Sequence, residues 1–399
     1  MSGGDPSLLD DVRVLDLAED RGQYAGKFLA DLGADVIKIE APLGSKARKT
    51  GPFKDDLPGL ENSLYFIYYN TNKRGITLNL NTTVGRDLFK QLIKRADVLI
   101  EDSDAGTMES MNLGYPALCE INQYLIMASI TGFGQNGPYR DYQAPDIVSF
   151  AAGGLMYISG AENEPPVVAP CEQAYHASSL MAAFGIISAL YLRLNTGKGQ
   201  FLDISTHEVL ASFSQGIMRY SVTAGSGGRT GSQFFAAPAR IYPCKDGYVH
   251  LLVFYPGHWR SFLDMIGNPE ILSDKAWYDA TFRAKNRDLI DPITIEFTSK
   301  HTRAEITDLC QSRGIPCTPV NTPADICDDP HFIARDYIIE IEHPAAGMHS
   351  YFAPAPDFTE SPAVIRRPAP LLGQHNQEIY AELGYCDQDL IQFKADGII

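Results

Sequence analysis

Short apolar runs and amphipathic stretches take turns along the first two hundred residues. Val12 to Leu17 (VRVLDL) and Asp35 to Glu40 (DVIKIE) have the length and branched content of buried strands, and Tyr24 to Leu32 between them spaces its apolar residues as a helix does until Gly33 stops it. Gly75 to Leu80 forms a third strand; Thr82 then opens a helix whose Val84, Leu88, Phe89, Leu92 and Ile93 share one face. Asp97 to Glu101 and Tyr124 to Ile130 continue the series. Such alternation predicts right-handed crossovers and a parallel sheet covered by helices. A long helix is expected over Ala174 to Leu194, with Leu180, Phe184, Ile187, Tyr191 and Leu194 on one stripe and small residues over much of the rest, the pattern of a helix buried on most sides. Thr196 to Gly199 ends it and Gln200 to Ser205 returns as a strand.

After the glycine-rich stretch Gly225 to Gly231 the pattern shifts to short strands and charged helices. The organisation expected is α/β: a large Rossmann-like domain from residues 1–205 and 330–399, a linker helix over 206–224, a small α+β domain over 225–323 and a second linker over 324–329. The proline-rich segment His343 to Pro370 is expected to run extended over the large domain before a final helix at Asn376 to Leu383. The glycine stretch Gly225-Ser226-Gly227-Gly228 fits either a flexible linker or a loop that closes over a site.

Composition narrows the chemistry. With 399 residues, 45% of them hydrophobic, the chain is long enough for two cores. A formal net charge of -16 repels phosphate backbones and anionic lipids, so neither nucleic acid nor membrane is expected as a partner. Met1 to Ser7 lacks a basic or apolar leader and no run of 18 apolar residues occurs, which points to a soluble, cytoplasmic protein. The seven cysteines are odd in number and form no C-x-x-C pair, so no disulfide framework or zinc site is expected. The turn after the first strand, Ala18 to Gln23 (AEDRGQ), has no G-x-G-x-x-G, and its acidic pair would repel a pyrophosphate; nicotinamide and flavin chemistry are disfavoured.

Five stretches, in order, carry a family resemblance across nearly the whole chain: Leu29 to Glu40 (LADLGADVIKIE), Asn72 to Gly75 (NKRG), Gly132 to Tyr139 (GFGQNGPY), Thr196 to Gln200 (TGKGQ) and Leu372 to His375 (LGQH). The sequence resembles class III CoA-transferases, the family that also holds 2-methylacyl-CoA epimerases and carnitine-type CoA-transferases. The resemblance implies a large domain made from both chain ends, a small domain, and two subunits interlocked as a dimer. It implies no permanently bound cofactor, a coenzyme A thioester being a substrate. It also implies an aspartate at the start of the long helix, which attacks the thioester to form a mixed anhydride and then an enzyme-bound CoA thioester. An aspartate, with a pKa of about 3.9, is ionised at neutral pH and needs no general base.

Counting back from Thr196-Gly197 through the helix puts Tyr175 at that position. A phenol with a pKa of about 10 would be un-ionised and would give an ester in place of an anhydride. Glu172, three residues earlier, is either a substitute carboxylate or a helix N-terminal residue favoured by the dipole. Other family positions differ too: Arg21-Gly22-Gln23 replaces an A-G-P turn, Ala41 stands for a frequent Arg, Asp102-Ser103 for Asn-Phe and Ser110 for an Arg. Lys73 is retained. Lys46, Arg48 and Lys49 follow the second strand and, with Lys73 and Arg74, are candidates for CoA phosphates; the alternative is a solvated loop. His207, His331 and His375 show no metal spacing and are expected to be structural. The epimerase branch pairs a His with the Asp of the long helix, and here those positions are Pro145 and Tyr175, so proton-transfer chemistry of that kind is not expected. The resemblance is therefore to the Asp-lacking chain of a heteromeric transferase. Its partner would be a homologous Asp-bearing subunit, in a heterodimer or heterotetramer. Together they would move CoA from succinyl-CoA to a carboxylic acid, for instance an aromatic succinate such as benzylsuccinate in anaerobic aromatic degradation. The alternative is a self-sufficient enzyme using Glu172.

Overall fold

Six strands pair in parallel in the order β3-β2-β1-β4-β5-β6: β1 Arg13–Asp16, β2 Asp35–Glu40, β3 Arg74–Thr77, β4 Val98–Glu101, β5 Ile126–Thr131 and β6 Phe201–Ser205. In this computed structural model residues 7–161, 164–214, 236–355 and 357–399 are described; the glycine stretch Gly225-Ser226-Gly227-Gly228 lies outside them. The chain divides into two compact units, one of Met1–Leu155, Ala169–Ile217 and His331–Ile399, the other of Met156–Val168 and Met218–Pro330. Residues 156–168 group with the second unit, whereas the strand and helix pattern assigns them to the first.

Period-two alternation along the strands feeds two cores in the first unit. Val14, Val36, Val98, Ile100, Ile126, Ala128 and Ile130 point to one face, where they meet helix α1 (Gln23–Asp31) and the long helix Gln173–Thr196. Leu15, Ile37, Ile76, Leu99 and Met127 point to the other and meet Leu88, Phe89 and Leu92 of the helix Thr83–Ile93. That helix opens on Thr82, whose side chain accepts from the Gly85 N–H. Val84 turns outward and is exposed, unlike the rest of its expected face.

The long helix corrects the expectation for its stripe. Its buried face is the small one, with Ala174, Ser178, Ala182, Ala183, Ile186 and Ala189 packed on α1, β5 and β6. The large apolar stripe faces outward: Phe184 is 68% exposed and Leu194 83%, with Leu180 and Tyr191 beside them. Small side chains let helix and sheet approach closely, so they take the inner face. By length and composition this helix is apolar enough to cross a bilayer, a property the sequence reading did not anticipate.

The C-terminal segment closes the edge of the sheet. Asn376 accepts from the Thr77 N–H (2.8 Å) and donates to the Thr77 hydroxyl (2.8 Å), the Tyr380 hydroxyl donates to the Thr77 carbonyl (2.8 Å), and the Asn79 N–H donates to the Ile398 carbonyl (2.7 Å). Backbone groups that an edge strand would offer to another chain are thereby used. Before it, β10 (Ile338–His343) and β11 (Gly347–Phe352) form a hairpin, whose second strand falls in the segment expected to be extended. The chain after it is held by Asn72, whose side chain accepts from the N–H groups of Arg366 and Arg367 and donates to the Val364 carbonyl.

The second unit has its own core around an antiparallel sheet of β7 (Ala239–Cys244), β8 (Gly247–Leu252) and β9 (Cys317–Pro319). Arg283 is fully buried there, donates to the carbonyls of Ala237, Trp277, Val253 and Phe254, and lies on the Trp259 ring.

Replacing Ala182 by Leu should force the long helix off α1 and destabilise the chain by about 1–3 kcal/mol. Leu194→Ala, on the exposed stripe, should change the stability of the isolated chain by less than about 0.5 kcal/mol. Urea unfolding of the two variants measures the contrast.

Candidate active site

Strand order reverses between β1 and β4, so the connections leaving them diverge and open a crevice at the carboxyl edge of the sheet. A cavity of about 390 Å³ lies there. Leu17, Ile39, Leu78, Leu80, Met108 and Met111 supply apolar wall, and Glu19, Asp20, Arg21, Glu40, Lys46, Asp102, Asp104 and Tyr175 supply the polar one.

Under this cavity sits a dry ionic cluster. Lys73 donates to Asp16 (2.7 Å), to the Gln23 carbonyl (2.8 Å) and to Asn70 Oδ1 (2.9 Å); Lys38 donates to the Ala18 carbonyl and lies 3.8 Å from Asp16. Lys73, Lys38 and Asp16 have no exposed surface. Burial lowers the Lys73 ammonium to about 8 despite Asp16. Gly26 in α1 has to be glycine, because a Cβ there would collide with the Asp16 carboxylate.

That burial removes Lys73 from the phosphate candidates, and two others leave with it. Arg48 makes a two-bond contact with Glu40 (2.7 and 2.9 Å), reaches Glu61 (2.7 Å) and the Pro370 carbonyl (2.9 Å), and lies 3.8 Å above the Phe66 ring. It is a staple, not a free cation. Arg74 begins β3 and so stands at the amino edge, a strand's length from the cavity, where it binds Asp35, Glu378 and Glu382. Lys46 and Lys49 are exposed, and Lys46 lines the cavity.

Asp102 turns out to be more than a departure from a family pattern. Its carboxylate accepts from the N–H groups of Glu19 (2.8 Å), Arg21 (2.8 Å) and Gly22 (3.2 Å), filling the nest that opens α1. Such a nest is a ready seat for an anion, and the protein occupies it with its own. Burial raises the Asp102 pKa, and the N–H groups with Lys38 and Arg21 pull it back. Ala41 lines the cavity as well, while Ser110 turns its hydroxyl to the Thr107 carbonyl.

Tyr175 stands in the first turn of the long helix and is 9% exposed. Its N–H donates to Asp146 (3.1 Å), the residue after Pro145, and its hydroxyl makes a long contact to the Ala144 carbonyl (3.4 Å) beside the Arg21 guanidinium. Burial raises the phenol pKa further, against the pull of Arg21. The hydroxyl stays protonated at neutral pH.

Glu172 is the N-cap of the same helix, yet it is not among the residues lining the cavity. It and Cys171 both adopt left-handed backbone (φ 50° and 63°), a strained pair for non-glycine residues. The Tyr65 hydroxyl donates to Glu172 at 2.6 Å, and one turn on, Tyr69 is 2.6 Å from His176 Nε2. Two residues a turn apart on the helix Leu64–Tyr69 thus face two residues a turn apart on the long helix. Burial lowers the His176 pKa, which favours the neutral ring, and Nε2 shares a hydrogen bond with the Tyr69 hydroxyl whose direction follows the ring tautomer. The sequence reading missed this pairing; the i, i+4 tyrosines were its only trace.

Two of the three histidines singled out in the sequence make local contacts within the fold. His375 Nδ1 accepts from the Gly75 N–H (3.0 Å), and His207 packs on Phe133. Among the described residues no cluster of three His, Cys, Asp or Glu could hold a metal, and the seven cysteines are free thiols.

Comparison with known proteins agrees with this architecture. A family model described as CoA-transferase family III matches residues 9–376. The formyl-CoA:oxalate CoA-transferase of Streptomyces avermitilis is 31% identical over 98% of this chain and 99% of its own. The succinyl-CoA:(R)-benzylsuccinate CoA-transferase subunit BbsE of Thauera aromatica is 31% identical over 94% and 93%. A crystal structure of a CAIB/BAIF family protein from Brucella suis matches with a TM-score of 0.87 at 31% identity, covering 95% of this chain and 100% of that one.

Glu101 ends β4 in the wall below the cavity, accepts from the Ser103 N–H (2.9 Å), and is pushed by burial up to about 7 from 4.5. The folded chain therefore keeps a proton that the unfolded chain releases between those values. The associated stability is complete below about 4.5 and is lost as pH rises through about 7. Glu101→Gln should flatten that decline and leave the variant more stable above pH 7 by on the order of 2 kcal/mol, measured by denaturant titration across the window.

Proposed function

Because the chain belongs to CoA-transferase family III, we propose that it serves as the subunit of a heteromeric CoA-transferase that lacks its own nucleophile. It pairs with a homologous Asp-bearing chain in an interlocked dimer, and the pair moves CoA from succinyl-CoA to a carboxylic acid, an aromatic succinate being the leading candidate. The observation that carries this reading is Tyr175, which the spacing back from Thr196-Gly197 assigns to the position where the family's attacking aspartate is expected. A carboxylate attacking a thioester carbonyl expels CoA thiolate and leaves a mixed anhydride. The thiolate opens it at the carboxylate's own carbonyl, giving an enzyme thioester and the free donor acid. The acceptor acid attacks that thioester, expelling the thiolate and forming a second anhydride that the thiolate opens at the acceptor's carbonyl. A buried, protonated phenol with a raised pKa cannot start that sequence at neutral pH.

Three further observations support it. Glu172, the alternative carboxylate nearest along the chain, is bound to Tyr65. Of five basic candidates for CoA phosphates, Arg48, Lys73 and Arg74 are engaged inside the fold, while Lys46 and Lys49 remain for that role. The relative BbsE is itself named a subunit, and the exposed stripe of the long helix offers a face for a second chain to cover.

The purified chain alone should transfer CoA from succinyl-CoA at least about 100-fold more slowly than when mixed with an Asp-bearing homologue, and Glu172→Gln should leave kcat of the mixture within about twofold. Full transfer by the lone chain would overturn the reading; a collapse of kcat in Glu172→Gln would favour the self-sufficient alternative.

A further inference from the structure

We infer that Arg21 and Tyr175 form a receptor for a ligand carboxylate, whose apolar body lies along Leu17, Ile39, Leu78 and Leu80 in the same cavity. The inference rests on the reading that Tyr175 is not a nucleophile. Where the family presents a carboxylate, this chain presents two hydrogen-bond donors, one of them cationic, and the polarity of the position is reversed.

Both donors are under-used. Arg21 Nε is buried with no hydrogen-bond partner, Nη1 donates to the Asp102 carbonyl at 3.1 Å, and the guanidinium also reaches the Tyr175 hydroxyl oxygen, which leaves the phenol proton as that group's own unspent donor. The guanidinium meets Asp104 only at 3.8 Å, with that carboxylate largely in solvent. At 3.4 Å the contact of the Tyr175 hydroxyl with the Ala144 carbonyl is long for an O–H···O bond. A carboxylate between them would satisfy donors that the folded chain leaves unmet, in charge-assisted bonds.

Both donors are also held in place before any ligand arrives. The Arg21 N–H donates to Asp102 (2.8 Å) and its carbonyl accepts from the Ser179 hydroxyl (2.6 Å), which pins the residue to the long helix. Tyr175 is fixed through Asp146. The acidic groups around them are mostly engaged: Asp102 by three N–H groups, Glu40 by Arg48, Asp146 by the Tyr175 N–H. Asp20 lines the same wall; burial, with Glu19 and Glu172 nearby, raises its pKa, and Lys46 and Arg21 pull it back. An exposed Asp104 is the group a ligand carboxylate displaces.

Two sources share this chemistry: a free carboxylic acid, and the distal carboxylate of a dicarboxylic acyl thioester. Calorimetric titration of the whole purified chain separates them, with 3-phenylpropanoate and its neutral amide as one pair of probes and succinyl-CoA and butyryl-CoA, which lacks the distal carboxylate, as the other. The carboxylate-bearing member of at least one pair should bind tenfold or more tighter than its counterpart without that carboxylate. Tyr175→Phe and Arg21→Gln should each abolish most of that preference, and Arg21→Lys should retain part of it. Discrimination in the first pair identifies a free acid, and in the second pair alone a thioester. Equal binding within both pairs, no binding at all, or a preference untouched by Tyr175→Phe overturns the inference. Thermal melting checks that each variant is folded; Tyr175→Phe keeps the ring and so preserves the test if Arg21→Gln does not fold. CoA transfer by the lone chain would sink the preceding reading instead, whereas an inert chain without carboxylate preference sinks this one only.

Discussion

A single carboxylate without access to water, Asp16 at the end of β1, organises the region in which this protein has its cavity. It is shared by Lys73, which arrives from the start of β3, and approached by Lys38 from β2. An isolated charge in such a place is strongly unfavourable, and the removal of one partner would strand the others. So the strands, the approach of α1 over Gly26, and the turn at Asn70 must all form together for any of them to be satisfied. The floor of the cavity is rigid because its charges leave no intermediate arrangement.

Above that floor, carboxylates and cations have been redistributed. Asp102 sits in the N–H nest at the head of α1, Glu40 is closed by Arg48, and Asp146 caps the long helix through the Tyr175 N–H. Each of these acids is engaged by groups of the fold itself, a pairing that formal charge does not record. The chain's net charge of -16 is thus a poor guide to what the cavity offers a ligand. What matters is which charges remain unpaired once the chain has folded.

The strands were legible because period-two burial is a local property: β2 has the bounds expected for it, Asp35–Glu40. The position of the long helix was legible for a similar reason, but its orientation was not. Apolar periodicity shows that a stripe exists, and it cannot say whether the stripe faces a sheet or solvent when the opposite face is made of alanine and serine. Lys73 and Arg74 are adjacent in sequence, yet one points into the floor and the other guards the amino edge; formal charge carries no record of either partner. Tyr65 and Glu172 are 107 residues apart, so their bond could not be inferred from spacing. Residue identity located Tyr175, and only geometry placed Arg21 beside it.

The closure of β3 by the C-terminal segment has a consequence in time. Thr77 and Asn376 are separated by 299 residues, and at ribosomal rates of about 5–20 residues per second that gap lasts roughly 15–60 s. Through that interval a nascent chain has β3 with one side unpaired, a template for neighbouring strands or for a chaperone. Completion of the sheet is therefore an event of late synthesis, and the amount of folded protein should be sensitive to how quickly the helices Asn376–Glu382 and Asp387–Ala395 are delivered.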